Sequence, residues 1–505
     1  MNNEIKIESA PVKKTPKKPE AEILLDRQLA MKDKTKLSNI ITIAFFCVFI
    51  LFFGIMFIIM PDNAMSQTEK RQLASAPDLS WAHIKLGLDR DLKLMTMTED
   101  QKTAYTDSSN WSNVKSDIDA EIDKMNLSDE EKSDLKLSIT HKSYFKSFSD
   151  EVSDYYKDQF PFRDQLRVIK AFTELIMLKQ ENHDVLFAKG YLVKKDTLEG
   201  STTLDEALKN VEKYNLQTIG VMQTLLPENV TCLTAVAGRT VDIAKSALPK
   251  IFPYASTNAE RYWQTYSEAA VKYNVNTVEL KDMLRMKFDA GEYVYYKTDH
   301  HWTTLGAYYA YCSIYEALGK TPRPLDSFKR EVFSSDFLGT TYAAAGAAPG
   351  GADTIEFFRY DGDTDYETEI INNVYNMTVE TKLEAFYNYK YRDTNDKYSA
   401  FLGSDNESNG GNNALTLITK KTGEPREKML VFKDSFGHSL VPFLAIDYDL
   451  IVIDPRYFHE DLSQFLSDES LTAILFIYNM ATFSNDTGAN YASAAIIDYY
   501  STHSN

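Results

Sequence analysis

The sequence predicts an α/β protein with a central, mainly parallel sheet covered by helices on both faces. Three short apolar runs support this prediction, because each has the length of a buried strand and helix-like stretches separate them: Met429–Phe432, Leu450–Ile453 and Ala473–Ile477. Fully apolar strands that alternate with helices are typical of parallel sheets buried on both faces. One uncharged run, Ile40–Met60, adds a membrane-spanning helix to this fold class.

Length and composition exclude several classes of protein. The chain has 505 residues, of which 44% are hydrophobic and 25% are charged, so it is an ordinary globular protein of several domains. A polytopic membrane protein is excluded, because a single stretch is apolar enough to span a bilayer. The net charge of −18 argues against nucleic-acid binding, which needs clustered cations.

The predicted membrane segment occupies residues 37–60. Its apolar run covers the ~30 Å hydrocarbon core at about 1.5 Å per residue. The alternative is a cleaved signal peptide, but such a peptide has a shorter apolar region behind a short basic start. By the positive-inside rule, the upstream cations place the N-terminus in the cytoplasm and the main domain outside the cell. These cations are Arg27, Lys32, Lys34 and Lys36, and the first charge after the run is Asp62.

Four parts are predicted along the chain. Residues 1–36 form a disordered cytoplasmic tail, 37–60 the transmembrane helix, 61–150 an extracellular helical stalk or insertion, and 151–505 the α/β domain with a β-rich insertion near 340–420. Further helices and strands of the α/β domain are predicted at Leu204–Leu226, Val230–Val236, Ala259–Lys272, Tyr293–Tyr296 and Thr303–Leu318.

Cysteine usage is low, with three residues in the chain. Cys47 lies in the apolar run, whereas Cys232 and Cys312 lie in a predicted strand and a predicted helix. The last two can pair, but free buried thiols are the favoured interpretation.

The first candidate site is the run from Lys297 to Thr304, which reads KTDHHWTT and lies between a predicted strand and a predicted helix. Ligands of open α/β sheets bind at the carboxyl ends of strands. Asp299 and His301 are two residues apart, so the carboxylate can fix the tautomer of the imidazole and leave its other nitrogen as a base. The plain alternative is that Asp299 or Thr303 only caps the helix.

The second candidate site contains Ser435, which follows the strand Met429–Phe432 and opens a helix-like stretch. The first amides of a helix can stabilise an oxyanion, and Gly437 permits close backbone approach. An ordinary N-cap serine is the alternative. Taken together, the two segments predict a Ser–His–Asp triad, since triads occur in any chain order. His438 is an alternative base.

A metal site competes with this interpretation, because several possible ligands are present. Adjacent histidines do not easily face one ion, and no His-x-x-x-His spacing occurs, so the sequence does not favour a catalytic metal. The possible ligands are Asp299, His300, His301, His438 and His459.

The run Asp299–Trp302 resembles the signature of the DHHW proteins, which are membrane-anchored extracellular proteins related to the alginate O-acetyltransferases of the SGNH-hydrolase-like type. The resemblance covers about residues 65–90 and 150–480, whereas segment 91–148 looks like extra sequence. Other stretches that resemble family motifs are Asp158–Asp164, Phe401–Gly403, Lys433–Gly437, Val441–Leu444, Asp454–Phe458 and Tyr478–Asn479.

This resemblance implies an SGNH-like three-layer α/β/α domain in which Ser435 is the nucleophile, His301 the base and Asp299 the residue that orients it. The implied activity is transfer of acetyl groups to hydroxyls of a cell-surface or secreted polysaccharide through an acetyl-serine. A polytopic membrane-bound O-acyltransferase is the implied acetyl donor, and no cofactor is implied.

Weaker candidates for binding the oxyanion or the substrate are Gly437, Arg239, Arg456, Asn479 and Trp302. The family often has Pro-Asn-Lys where this chain has Ala237-Gly238-Arg239, so Arg239 is expected to replace the lysine. Two rival functions stay open at this point. One is an acetylesterase with water as acceptor, and the other is a non-catalytic protein that binds or assembles cell-wall polymers, in which the triad geometry is uncoupled.

Overall fold

The computed structural model describes residues 19–107, 110–195, 203–250, 258–374, 377–404, 413–421 and 423–503. These residues belong to two compact units. The first contains residues up to Ala64 together with Leu73–Arg163, and the second contains Met65–Gln72 together with Asp164–Asn505.

The first unit is helical. Helix α1 includes the segment Arg27–Ile59, which is long and apolar enough to cross a membrane. It begins at Glu20, within the tail predicted to be disordered, while residues 1–18 lie outside the described residues. The described helices of this unit are α1 Glu20–Ile59, α2 Trp81–Met95, α3 Glu99–Thr106, α4 Trp111–Asp123, α5 Asp129–Ser138, α6 His141–Tyr144 and α7 Phe148–Asp158.

A small core lies inside this unit. Val114, Ile118 and Ile122 are four residues apart along α4 and form one apolar face, as the helical repeat requires. They pack with Leu86 and Tyr105 in a single buried cluster.

The second unit contains the remaining described helices, most of which pack against one sheet. They are α8 Arg163–Ile176, α9 Leu204–Lys209, α10 Gln217–Gln223, α11 Thr240–Ile243, α12 Ala259–Lys272, α13 Lys281–Asp289, α14 Thr304–Ala317, α15 Thr340–Ala345, α16 Gly437–Leu444, α17 Ser463–Leu466, α18 Met480–Asn485 and α19 Gly488–His503. The predicted helix Leu204–Leu226 is present as α9 and α10, joined by the π-helical turn Asn210–Leu216.

The strands of this unit form one large sheet and three small ones. They are β1 Met65–Ser66, β2 Arg71–Gln72, β3 Glu181–Asn182, β4 Val185–Ala188, β5 Tyr191–Lys194, β6 Thr231–Ala237, β7 Thr277–Val278, β8 Lys329–Phe337, β9 Asp353–Arg359, β10 Tyr366–Val374, β11 Met377–Glu384, β12 Leu415–Lys420, β13 Lys428–Lys433, β14 Asp449–Ile453 and β15 Leu471–Asn479.

The large sheet has eight strands in the order β11-β10-β12-β14-β13-β15-β6-β7. The strands from β14 to β7 pair in parallel, whereas β11, β10 and β12 add an antiparallel edge. The sheet is therefore mixed, with a parallel half that carries the three predicted apolar strands. The β-rich segment near 340–420 extends this sheet through β10 and β11 instead of forming a separate insertion.

Both faces of the central strands are buried. In β13, Met429 and Val431 belong to one hydrophobic cluster, which includes residues of α14 and α16. Leu430 and Phe432 belong to another cluster, which includes residues of α12 and α19. This alternation explains why the strands read as unbroken apolar runs in the sequence. Cys232 lies in the second cluster as a free thiol.

One strand prediction is wrong. Tyr293–Tyr296 forms no strand of the sheet, and only Tyr295 makes an isolated bridge, with Trp302. Tyr295 and Tyr296 are fully buried, so their aromatic character reflects packing in the core and not strand pairing.

Candidate active site

The run Asp299–Trp302 lies in a loop that closes on itself. The bridge between Tyr295 and Trp302 joins the two ends of the loop, which leads directly into α14. Thr303 caps that helix, because its hydroxyl accepts a hydrogen bond from the amide of Gly306 at 3.2 Å. The capping role considered for this segment therefore belongs to Thr303, which leaves Asp299 available for other contacts.

Asp353, at the start of β9, holds this loop in place. Its carboxylate accepts hydrogen bonds from the amides of Lys297 and Thr298 at 2.8 and 2.7 Å, and from the hydroxyls of Thr298 and Tyr293. Burial raises the pKa of Asp353, although the hydrogen bonds from Thr298 and Tyr293 act in the opposite direction. Nothing in the local sequence pattern indicates this anchor, since it lies far along the chain.

Asp299, His301 and Ser435 meet in one hydrogen-bonded row. Asp299 Oδ1 is 2.6 Å from His301 Nδ1, and His301 Nε2 is 2.7 Å from Ser435 Oγ. Asp299 and His301 are buried, while Ser435 is partly exposed. The geometry allows the carboxylate to orient the imidazole and the imidazole to accept the serine proton.

Asp299 is also held from its other side. The amide and hydroxyl of Thr340 donate to its Oδ2 at 2.7 and 3.0 Å. Burial acts to raise the pKa of Asp299, but His300, His301 and the hydrogen bond from Thr340 bring it well below its usual range. Asp299 is therefore an anion in the folded protein, as a residue that stabilises an imidazolium must be.

Ser435 stands on the turn between β13 and α16. Asp434 fixes this turn, since its carboxylate accepts from the amide of Phe436 at 2.9 Å and from the amide of Asn479 at 2.7 Å. Asn479 ends the neighbouring strand β15, so the serine turn is tied to the edge of the sheet. The predicted strand-to-helix setting of Ser435 is confirmed.

Gly437 has a packing function at this turn. A Cβ atom at this position would lie 2.7 Å from Cβ of Lys433, which is too close for any other residue. Its amide already donates to the carbonyl of Asp434 at 3.1 Å. This bond argues against the predicted oxyanion role of Gly437 in the state seen here.

Tyr398, which no sequence pattern indicates, contacts both His301 and the serine turn. Its ring stacks on the imidazole of His301 with centroids 3.9 Å apart and planes 11° apart. Its hydroxyl donates to the carbonyl of Ser435 at 3.1 Å. Burial raises the pKa of Tyr398, so its hydroxyl stays protonated and can act as this donor.

The predicted ligand-binding cations have partners inside the protein. Arg239 pairs with Asp242, with 2.9 Å between Nε and Oδ2. Arg456 pairs with Asp454 at 2.7 Å. Both residues therefore fix loops at the end of the sheet. Because each guanidinium is paired with a carboxylate, their predicted role in ligand binding is not supported.

The side chains of Asn479 and Trp302 also have hydrogen-bond partners inside the protein. The side-chain amide of Asn479 donates to the carbonyl of Gly238 at 3.1 Å. Trp302 has 0% of its surface exposed, and its Nε1 donates to the carbonyl of Phe436 and to Ser439 Oγ at 3.1 and 2.9 Å. The predicted role of Trp302 in substrate binding is therefore not supported, because no face of its ring is accessible.

The imidazoles of the other two histidines near the site have hydrogen-bond partners other than Ser435. His300 is exposed, and its Nδ1 lies 2.7 Å from Thr340 Oγ1. His438 is buried, and its Nε2 lies 2.9 Å from the ammonium of Lys433. His301, and not His438, is therefore the histidine whose imidazole lies within hydrogen-bonding distance of Ser435 Oγ.

A metal remains chemically possible at one place in the described part of the chain. Asp299, His300 and His301 offer ligand atoms that all lie within 4.8 Å of one another. In the arrangement seen here, however, both ring nitrogens of His301 already have partners, which are Asp299 and Ser435. An ion would have to displace these contacts.

The fold and this triad define an α/β protein with a serine–histidine–aspartate site. Residues 213–453 match the family described as "DHHW protein", a range that contains all three triad residues. The resemblance to DHHW proteins predicted from the sequence is therefore confirmed over this range. No curated protein matches the chain.

Several solved structures have a related chain trace. A DHHW family protein from Eubacterium siraeum is 21% identical with a TM-score of 0.47, and the match covers 62% of this chain and 96% of that one. PatB1 from Bacillus cereus is 18% identical with a TM-score of 0.46, covering 60% and 98%. The O-acetyltransferase domain of Pseudomonas putida AlgJ is 13% identical with a TM-score of 0.37, covering 62% and 98%. Likenesses this distant carry no argument about activity.

Proposed function

We propose that this protein is a membrane-anchored O-acetyltransferase of the SGNH-like type, which moves acetyl groups onto a cell-surface or secreted polysaccharide. The observation that supports the proposal is the hydrogen-bonded row from Asp299 through His301 to Ser435, at 2.6 and 2.7 Å. Such a row is the arrangement that activates a serine hydroxyl as a nucleophile.

In the first half of the reaction, Ser435 Oγ attacks the acetyl carbonyl of the donor while His301 Nε2 takes the serine proton. The bond from the carbonyl carbon to the donor oxygen breaks, and the donor oxygen receives that proton. Acetyl-Ser435 is the product. Throughout, Asp299 stabilises the imidazolium without becoming protonated.

In the second half, a hydroxyl of the acceptor attacks acetyl-Ser435 and gives its proton to His301 Nε2. The ester bond to Ser435 Oγ then breaks, and His301 returns the proton to the serine. The acetyl group has moved to the acceptor and the enzyme is restored.

Membrane anchoring and the acetyl donor belong to the same proposal. The segment Arg27–Ile59 is the proposed anchor, and the cations before its apolar part support an extracellular second unit. Because no acetyl-coenzyme A is expected there, the donor is a polytopic membrane-bound O-acyltransferase. External protease on intact cells should digest the C-terminus, and a protected C-terminus would refute this topology.

An acetylesterase is the second candidate, favoured by the partial exposure of Ser435, which lets water reach an acetyl-serine. The non-catalytic interpretation requires an uncoupled triad, and the 2.7 Å contact between His301 and Ser435 argues against it.

The test uses the full chain in detergent with p-nitrophenyl acetate as donor. Ser435→Ala should lower the release of acetate by about 10⁴-fold or more, since removal of a triad nucleophile costs roughly 10⁶-fold. Quenched wild-type protein should carry acetyl on the Ser435 peptide in a mass spectrum. Ser327→Ala, at an exposed serine, serves as the matched control. Full activity in Ser435→Ala would remove the covalent mechanism.

A further inference from the structure

A hairpin from the beginning of the second unit carries a lysine that the triad chemistry does not use. Strands β1 and β2 form this hairpin, with Lys70 just before β2. Ser66 donates to Asp164 Oδ1 at 2.7 Å, and Gln67 is hydrogen-bonded to Asn395. The hairpin is therefore fixed by two segments that are remote in sequence.

The ammonium of Lys70 lies next to the loop that carries Asp299. It stands 5.2 Å from the centre of the Phe337 ring, and the carbonyl of Phe337 accepts a hydrogen bond from Thr298. The backbone of Lys70 has a φ of 55°, a left-handed conformation at the end of the turn that joins β1 to β2.

Asp396 is the opposite charge in this region. Its carboxylate accepts a hydrogen bond from Ser399 Oγ at 2.6 Å, and it lies two residues before Tyr398, the residue stacked on His301. Both Lys70 and Asp396 are half-buried, so solvent still reaches them.

The two charges attract each other without forming a closed ion pair. Burial lowers the pKa of Lys70, and the negative charges of Asp299 and, after it, Asp396 act against this shift. Burial raises the pKa of Asp396, and the hydrogen bond from Ser399 and the charge of Lys70 act against that shift. Among the described residues, no carboxylate oxygen lies within 4.0 Å of the Lys70 ammonium. An open pair that is partly removed from water lacks the contacts that would offset its desolvation.

A hydroxyl group is suited to bridge an ammonium and a carboxylate that do not pair directly. It accepts a hydrogen bond from an ammonium and donates one to a carboxylate at the same time. A sugar ring presents several hydroxyls, so one can bridge the pair while a neighbour faces the triad.

We infer that Lys70 and Asp396 form the acceptor subsite, in which they hold hydroxyl groups of the polysaccharide beside acetyl-Ser435. This inference rests on the proposed function and names the residues that favour a sugar over water as acceptor.

The experiment measures partition between the two acceptors. Full chain in detergent is given p-nitrophenyl acetate with cellopentaose or chitopentaose, and acetylated oligosaccharide and free acetate are quantified. Lys70→Met and Asp396→Asn should each lower the ratio of transfer to hydrolysis by about tenfold, the effect of one hydrogen bond to a charged group. Lys70→Arg should restore part of the ratio. Lys213→Met and Asp393→Asn, at exposed positions, are the controls for loss of charge.

An equal fall of transfer and hydrolysis would show that these charges only tune the triad, and an unchanged ratio would show that they hold no acceptor; either result overturns the inference. A second measurement separates it from the proposed function. Cellopentaose and chitopentaose are titrated calorimetrically into Ser435→Ala protein with and without Lys70→Met. If wild type shows no Ser435-dependent hydrolysis, the proposed function fails, yet binding that depends on Lys70 still supports the subsite. Binding that ignores Lys70, or no binding, refutes it.

Discussion

The ring of Tyr398 stacks on the imidazole of His301, with centroids 3.9 Å apart. The same tyrosine donates its hydroxyl to the carbonyl of Ser435. One buried side chain thus contacts His301 and the backbone of Ser435, and it covers one face of the imidazole. A ring held in this way cannot rotate out of the row formed by Asp299 and Ser435, which makes Tyr398 a positioning residue.

Replacing Tyr398 should separate these two contacts. Tyr398→Phe keeps the stacked ring and loses one hydrogen bond, so kcat/KM for p-nitrophenyl acetate should fall by no more than about tenfold. Tyr398→Ala also frees the imidazole and should cost roughly 10²-fold, because small misplacements of a catalytic group are expensive. Tyr389→Phe, at a partly exposed tyrosine, is the control. Wild-type activity in Tyr398→Ala would contradict the positioning role.

The central strands could be predicted from the sequence because burial on both faces leaves an unbroken apolar run. Val431 and Leu430 face different hydrophobic clusters, so neither position tolerates a polar residue. Tyr293–Tyr296 misled the prediction because a buried aromatic segment has the same composition whether it is a strand or a tightly packed loop. The antiparallel edge was not predicted, since β10 and β11 carry many polar residues.

The triad was predictable because Asp299 and His301 are close in sequence and Ser435 has a strand-to-helix setting. The residues that hold the triad in place were not predictable, because Thr340 is 41 residues from Asp299 and Tyr398 is 37 residues from Ser435. The predicted ligand-binding residues were chosen by chemical type alone. The sequence does not show that Arg456 and Arg239 each form an ion pair with a nearby aspartate.

Gly339 allows Thr340 to approach Asp299. A Cβ atom at Gly339 would lie 2.2 Å from Cβ of Asp299, so Gly339→Ala must displace the carboxylate or the loop. We expect destabilisation of about 1–3 kcal/mol, typical of overpacking, together with a loss of hydrolysis that exceeds it. Thermal melting and p-nitrophenyl acetate turnover measure the two effects. Gly87→Ala, inside α2 where an added Cβ would lie 4.0 Å from the nearest neighbouring side chain, should leave turnover unchanged and raise stability by up to about 1 kcal/mol. An active Gly339→Ala would show that the contact with Asp299 is dispensable.

The two adjacent histidines should differ sharply in importance. His301→Ala removes the base and should approach the loss caused by Ser435→Ala, because triad members act as a unit. Asp299→Asn should cost less, about 10⁴-fold, because it affects the tautomer and orientation of the base. His300→Ala should cost less than about tenfold, since its Nδ1 contacts Thr340. Initial rates of acetate release give the order, and a greater loss at His300 than at His301 would mean that the wrong histidine has been assigned.

Metal removal should leave activity unchanged, whereas metal addition should inhibit it. A chelator should leave hydrolysis unchanged, because the row from Asp299 to Ser435 needs no ion. Added Zn²⁺ should inhibit, since Asp299, His300 and His301 offer ligand atoms within 4.8 Å of one another and the ion would compete with the triad contacts. His300→Ala should weaken this inhibition. Loss of activity with the chelator and its recovery with Zn²⁺ would establish a metal mechanism instead.

The stability of the fold should fall between pH 6.5 and 5.5 because of His438. Burial, reinforced by the charge of Lys433, lowers the pKa of His438 well below its usual value of 6.5. The unfolded chain therefore takes up a proton in this window that the folded chain does not. Stability is fully present above the unfolded pKa and declines as the pH drops below it, by about 1 kcal/mol over this one unit.

His438→Gln should remove this part of the pH dependence, whatever its effect on stability at neutral pH. The melting temperature of the full chain in detergent, measured at several pH values, gives the slope for each protein. His459→Gln, at an exposed histidine, should keep the wild-type slope. If His438→Gln also keeps it, His438 takes up its proton in the folded state, and the buried contact with Lys433 at 2.9 Å does not hold the imidazole neutral.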